Sequence, residues 1–232
     1  QGADLAIRLG WKQGITKLCN TMGNYSSIKR DFTKAIEYYL KSLKAAEETN
    51  DKRNQTVALK NIANVYSYKT RDYQKAIEYY QRCFRIAEEL GDVREMADLY
   101  AEIGSVYYVK RDYAKAVEQY KMAMGKGESA GDKKIVGENL ANISAVYNSQ
   151  ANYPQALEYA LQSQRFYEAA NDKKGIANAL LKTGLIYNNQ KDFTKALDNF
   201  LKSLKLSEEG NRKDMVAENL QNIADVYISM GN

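Results

Sequence analysis

Apolar residues recur along this chain in two alternating helical patterns. The first is DYAKAVEQY, from Asp112 to Tyr120, with near copies DFTKAIEYY from Asp31, DYQKAIEYY from Asp72, NYPQALEYA from Asn152 and DFTKALDNF from Asp192. Successive copies start 41, 40, 40 and 40 residues apart. Each opens on Asp or Asn, which caps a helix by accepting bonds from first-turn amides, and each keeps an Ala four residues before Tyr39, Tyr80, Tyr120, Ala160 or Phe200. The second pattern precedes the first in every period: ALKNIANVY ending at Tyr66, LYAEIGSVY at Tyr107, NLANISAVY at Tyr147, ALLKTGLIY at Tyr187 and NLQNIADVY at Tyr227. Apolar residues there recur at helical spacing, and the place three before the Tyr is small: Ala63, Gly104, Ser144, Gly184, Ala224. Small residues on both helices suit a close crossing, with the rings filling the space beside it.

The pattern predicts helices over 31–48, 53–69, 72–90, 92–109, 112–129, 132–149, 152–170, 172–189, 192–209 and 211–230, joined by tight turns. GD at 91 and 131, ND at 50 and 171 and GN at 210 each supply a residue tolerant of left-handed backbone followed by a cap. Two places are irregular. Tyr25 and Tyr66 precede their caps by six residues where later copies use five, and GITKLCNTMGNYS fits the leading pattern in two registers one residue apart. Residues 2–9 resemble the tail of an earlier helix and Asn232 falls where a sixth cap would stand, so both ends read as cuts through a longer array. A period of this length is one unit that cannot bury its own apolar face, so 1–232 is expected to be a single array of about five repeats plus a sixth leading helix.

Composition changes this picture mainly by exclusion. Among 232 residues there is no His, which removes Ser-His-Asp and Cys-His nucleophile pairs and His metal ligands. Glu pairs at 47–48, 88–89 and 208–209 recur at one place in the repeat and read as a solvated face. Cys19 and Cys83 are far apart within helical patterns, and Cys83 takes a slot that other copies give to Ser42, Ala123, Ser163 and Ser203. MGKGESAGDKK lacks the spacing of a phosphate loop. Net charge is +5 with 34 basic and 29 acidic residues interspersed, unlike a concentrated nucleic-acid footprint. No apolar stretch approaches a membrane span and no signal peptide is visible, which implies a cytoplasmic protein, or a periplasmic one if a signal was removed. No catalysis, metal, cofactor, nucleic acid or membrane partner is expected.

A small-residue-and-Tyr helix followed by D-[FY]-x-[KQ]-A-[ILV]-[DE] resembles the tetratricopeptide repeat, and its 40-residue period is similar to the longer repeats of LGN and Pins adaptors, kinesin light chains and bacterial signalling proteins. The resemblance implies an all-α fold, a right-handed α-solenoid of antiparallel helix pairs whose leading helices line a concave groove. Carried over by position, five before the Tyr, that groove would present Asn20, Asn61, Glu102, Asn142, Lys182 and Asn222. An Asn amide both donates and accepts, so a row of them can hold an extended backbone. The same residues also suit water-facing or helix-end roles, and Glu102 and Lys182 interrupt the row. Neighbouring candidates are Lys60, Asn64, Tyr68, Asp98, Tyr108, Glu138, Asn148, Asn178, Asn188, Asn189, Glu218 and Asp225; with Glu102 and Lys182 they hold five acids against two Lys.

The resulting expectation is a non-catalytic module that binds an extended, neutral or basic peptide or partner segment. The alternative is the sensory or regulatory part of a larger bacterial signalling protein, such as a histidine kinase, nucleotide cyclase or transcription regulator. Unpaired helix faces at the array ends would also allow self-association.

Overall fold

The computed structural model describes residues 11–231, and all regular structure among them is helical. In chain order the helices are α1 Lys12–Ile28, α2 Phe32–Glu48, α3 Lys52–Asn64, α4 Tyr73–Leu90, α5 Val93–Val109, α6 Tyr113–Ser129, α7 Lys133–Ser149, α8 Tyr153–Ala169, α9 Lys173–Asn189, α10 Phe193–Glu209 and α11 Lys213–Met230; a π-helical turn, Val65–Thr70, continues α3. Contacts divide the chain into two units, 1–110 and 111–232. In the first, α1 to α5 pack each on the next; in the second, α6 to α11 do the same, and the leading helices α7, α9 and α11 also touch in sequence. These are the antiparallel pairs that the two alternating patterns predict.

Reversal between helices is made by one left-handed residue placed just before each cap. After trailing helices it is Asn50, Gly91, Gly131, Asn171 or Asn211; after leading helices it is Arg30, Arg71, Arg111, Ala151 or Lys191. The Asp or Asn side chain at positions 31, 51, 72, 92, 112, 132, 152, 172 and 192 then accepts an amide of the following helix. The GN turn departs from expectation. Gly210 has φ −84°, Asn211 itself turns left-handed at φ 51°, and Arg212 stands at the cap of α11 with no side-chain bond.

Within a hairpin, one buried hydroxyl or thiol of the trailing helix ties it to the leading helix. Ser42 donates to the Thr16 carbonyl at 2.9 Å, Ser163 to Gly137 at 2.7 Å and Ser203 to Ala177 at 2.8 Å, each 26 residues apart; Cys83 reaches Thr56 at 3.5 Å over 27 residues. The small-residue contact is equally direct, for Ser144 donates to the Ala156 carbonyl at 2.7 Å, and the Phe200 ring lies 2.5 Å from where a Cβ on Gly184 would stand. Tyr80 and Phe200 are wholly buried, each ring contributing about 1.5–3 kcal/mol of hydrophobic stabilisation. In α11, which no trailing helix follows among the described residues, the corresponding Ala224 is exposed.

These separations settle both irregularities. In the second repeat the extra residue is absorbed by the π-helical turn, so Tyr66 still stacks on Tyr79 at 5.7 Å as Tyr147 does on Tyr159 at 5.4 Å. In the first repeat α1 carries no extra residue. Gly23, not Met22, faces the ring of Tyr39, and Ser26, whose carbonyl accepts from the Asp31 amide, stands where later repeats have Tyr147 and Tyr187, while Tyr25 is 57% exposed.

Candidate functional site

The first unit holds a cleft of about 530 Å³ along α3 and the start of α5, with Arg53, Thr56, Val57, Lys60, Asn61 and Asn64 on one wall and Ala87, Leu90, Asp92 and Glu95 on the other. Helical spacing brings Arg53, Val57, Lys60 and Asn64 onto one face of α3. Lys60 pairs with Glu95 at 3.0 Å. Burial pulls the Lys60 ammonium down, but the Glu95 hydrogen bond and the charges of Glu95 and Asp98 outweigh it and hold it above the ordinary lysine value. Burial raises the Asp98 carboxyl despite the nearby Lys60 charge. Beside this pair runs a tyrosine network: Tyr80 donates to the Asn64 carboxamide oxygen and lies 3.4 Å from a Glu102 carboxylate oxygen, which Tyr68 also reaches at 2.9 Å. Burial, then the charge of Glu102, drives the Tyr80 hydroxyl far above the usual phenol value.

A second cleft, about 450 Å³, lies in the second unit at the first turns of α7, α9 and α11, lined by Lys134, Glu138, Asp172, Lys174, Asn178, Arg212 and Glu218 over a floor of Tyr167, Gly175, Leu181 and Met215. Tyr167 occupies a place that the preceding repeat gives to Gly127, and its ring enters the volume a side chain on Gly175 would take. Lys134 approaches Asp172 at 3.7 Å. Nearer the middle of α9, Lys182 has no ion-pair partner among the described residues; burial lowers its ammonium, opposed by the charge of Glu218.

The row expected from sequence is only partly assembled. Asn61 lies in the first cleft, and Asn61 and Asn142 are half-buried with carboxamides that bond no described residue. Asn222 turns its amide onto the Glu218 carbonyl of its own helix at 2.9 Å, and Asn148 accepts from Asn189 at 3.0 Å. Asn64 and Glu102 are engaged by the tyrosine network, while Tyr108 and Asn188 are half-buried on their helices. Asn20 is one position off the row, because the register of α1 puts Thr21 there; the Asn20 oxygen is buried without a partner. The acid excess read from the row also narrows. Lys134, Lys174 and Arg212 offset Glu138, Asp172 and Glu218 in the second cleft, Arg53 and Lys60 offset Asp92 and Glu95 in the first, and the surplus rests on Asp98 and Glu102 of α5, which line neither cleft. Sequence reasoning missed these cations, and Val57 and Leu90, because it followed the Tyr-containing half of each leading helix while both clefts reach the first turns. The signal was present in the basic residue two places after Asp51, Asp132 and Asp172. Among the described residues no cluster of Cys, Asp or Glu could hold a metal ion, and no helix is long and apolar enough to cross a membrane.

Family models described as tetratricopeptide repeat match residues 16–89 and 177–209. The sequence matches none of the curated proteins. Among solved structures, BtubC (BKLC) from P. vanneervenii is similar at 19% identity and TM-score 0.71, covering 91% of this chain and 89% of its own. Aspartyl phosphate phosphatase F from Bacillus subtilis is similar at 16% identity and TM-score 0.81, covering 93% of this chain and 57% of its own. The apo form of the quorum sensor NprR from B. thuringiensis is similar at 16% identity and TM-score 0.70, with 94% and 62% covered. At these identities the likeness is one of fold, and this chain spans about three-fifths of the latter two.

Proposed function

Because the chain is a tetratricopeptide-repeat protein, we propose that it is a non-catalytic interaction module holding an extended segment of a partner protein against its leading helices. The observation that carries this reading is that both clefts are built mainly from leading helices, with the Asn61 carboxamide lining the first and that of Asn142, further along α7 than the second cleft, also half-exposed, neither bonding a described residue. A bound backbone would supply the N–H and C=O those amides lack, each bond contributing about 0.5–1.5 kcal/mol. In the first unit Val57 and Leu90 offer apolar contact, and Asp98 and Glu102 favour a neutral or basic segment. The test is binding of unstructured peptides of varied charge to the intact chain and to an Asn61→Ala/Asn142→Ala variant. Affinity should fall by about fivefold or more at an unchanged melting temperature. Identical affinities would refute the role of the amides, and tighter binding of acidic peptides in low salt would refute the charge preference.

A second reading, the sensory part of a larger signalling protein, draws on the similarity to a structure described as a quorum sensor, of which this chain spans 62%. Both readings use the same clefts. They differ in whether occupancy changes the activity of a covalently attached domain, which the full-length gene product would show.

A further inference from the structure

We propose that one edge of the first unit, formed by its leading-to-trailing turns, docks on an anionic lipid surface. Hairpin connectivity makes α1, α3 and α5 parallel, so their C-terminal ends share an edge, away from the first turns that the cleft reaches. Along it the chain reads Ile28-Lys29-Arg30, Tyr68-Lys69-Thr70-Arg71 and Val109-Lys110. Ile28 is 78% exposed, Tyr68 50% and Val109 49%, so each turn presents a large apolar side chain to solvent beside its cations. The five cations are exposed and none is ion-paired with a described carboxylate, since Asp31 and Asp72 are held by Lys34 and Lys75 at 2.9 and 3.0 Å. Lys29 and Lys110 sit 5.7 Å over the rings of Tyr25 and Tyr107.

Two contrasts within the chain set this edge apart from an ordinary solvated face. In the second unit the same turns read Ser149-Gln150-Ala151 and Asn189-Gln190-Lys191, with no large apolar residue and one cation. In the first unit the left-handed residue of these turns is Arg30 (φ 62°) or Arg71 (φ 59°), whereas at the opposite edge it is Asn50 or Gly91, which adopt that backbone more readily. The second unit also puts residues that this backbone disfavours at these turns, Ala151 and Lys191, so what distinguishes the first unit is that both of its left-handed residues there are arginines. The apolar partner selects among polyanions. Two of the three exposed residues are aliphatic and offer no face for stacking a base, and the ring of Tyr25 already carries Lys29. Aliphatic side chains flanked by unpaired Lys and Arg enter the headgroup boundary of a bilayer. Three turns repeating one pairing also suit a continuous charged surface better than a single peptide segment.

Each Lys or Arg at an anionic surface strengthens binding by about fivefold. The test is co-sedimentation of the 232-residue chain with phosphatidylcholine vesicles, with and without phosphatidylserine, over a salt series. The chain should sediment only with the anionic vesicles and release as salt rises. Replacing Lys29→Gln, Arg30→Ala, Lys69→Gln and Arg71→Ala together, which installs the residue types of the second unit, should weaken binding by at least about 100-fold. Ile28→Ser/Val109→Ser should weaken it while leaving the salt dependence unchanged, and circular dichroism should show every variant folded. No sedimentation with phosphatidylserine vesicles in low salt, or equal binding by the fourfold variant, overturns the proposal. So does stronger competition by single-stranded RNA or polyglutamate than by vesicles, which would make the edge a receptor for a soluble polyanion.

Discussion

Gly175→Ile tests the packing logic of the second unit most directly. A Cβ on Gly175 would stand 2.1 Å from Cδ1 of Tyr167 and 2.4 Å from two further ring atoms, and the ring cannot swing out because Tyr167 is 2% exposed and also lies 3.1 Å from where a Gly137 Cβ would be. Ordinary contact begins near 3.4 Å, so the overlap exceeds an ångström against a rigid group. Overpacking of this kind costs about 1–3 kcal/mol and occasionally more, and more than an ångström of overlap with a buried ring puts it at the upper end, against about 0.5 kcal/mol gained by exchanging glycine for the β-branched isoleucine in a helix. A net loss of about 2 kcal/mol is expected, read as a lower urea midpoint at unchanged slope.

Forty residues earlier the chain solves the same junction in reverse. Gly127 lies on the trailing helix and Ile135 on the leading one, and a Cβ on Gly127 would meet the Ile135 side chain at 2.7 Å. Tyr167→Gly/Gly175→Ile therefore installs an arrangement this fold already uses. Tyr167→Gly alone should cost about 3–5 kcal/mol by opening a cavity. The double variant should be less destabilised than the sum of the single changes by about 1–3 kcal/mol, because the isoleucine enters the space the ring has left. If the two losses simply add, to within about 0.5 kcal/mol, the side chains do not share that space and the packing account fails.

Ala156→Leu should cost about 1–3 kcal/mol in the same assay, since the Ser144 hydroxyl meets the Ala156 carbonyl at 2.7 Å and leaves no room for a larger side chain; an unchanged midpoint would contradict the close crossing. Ala151→Gly should leave the midpoint level or raise it by up to about 1 kcal/mol, because relief of left-handed strain exceeds or balances the glycine's added unfolded-state entropy. Removing Thr70 should convert the π-helical turn to regular helix without loss of stability, as VYSYKTRD then matches the VYYVKRD of the next repeat; a drop of more than about 2 kcal/mol would show that the turn is required by its neighbours. The acid limb follows from the caps. Hydrogen bonds from the lysine three residues on, and from its amide, hold Asp31, Asp72 and Asp192 below the ordinary 3.8, so their contribution is present above pH 3.8 and is lost as pH falls through their lower folded values. At alkaline pH, burial keeps Tyr80 and Tyr167 neutral in the fold and pushes the Cys83 thiol up to about 12, so stability should decline as pH rises past the unfolded values of 9 for the thiol and 10 for the phenols. Urea midpoints across pH check both limbs, and a midpoint flat below pH 4 would exclude the cap contribution.

The helices and their pairing were legible because every level of the sequence agrees on them: an acidic cap, an Ala one turn before a ring, a small residue on the facing helix, and a turn residue before the next cap. The site was less legible, for a reason visible in particular residues. A row position defined by distance from a Tyr depends on register, and one residue of slip in α1 exchanges Asn20 for Thr21; only the partners of Ser42 and Tyr39 fix it. Side-chain direction is also decided by neighbours that a helical count does not see. Asn64 and Asn61 lie three residues apart on one leading helix, yet Asn64 is taken by Tyr80, and Asn61 bonds no described residue. The chain itself shows when such capture occurs. Tyr39 donates to Asn24 at 2.7 Å and Tyr80 to Asn64, whereas the places fifteen residues before Ala160 and Phe200 hold Ala145 and Leu185. Fifteen residues before the third ring-slot phenol, Tyr120, stands Ser105, so a phenol in that slot coincides with a polar residue on the leading helix, and an apolar occupant with an apolar neighbour, as the cost of an unpaired buried hydroxyl requires. Asn64 is therefore part of how the hairpin closes, while Asn61 and Asn142, outside that pairing, keep the donor and acceptor that a bound backbone would use.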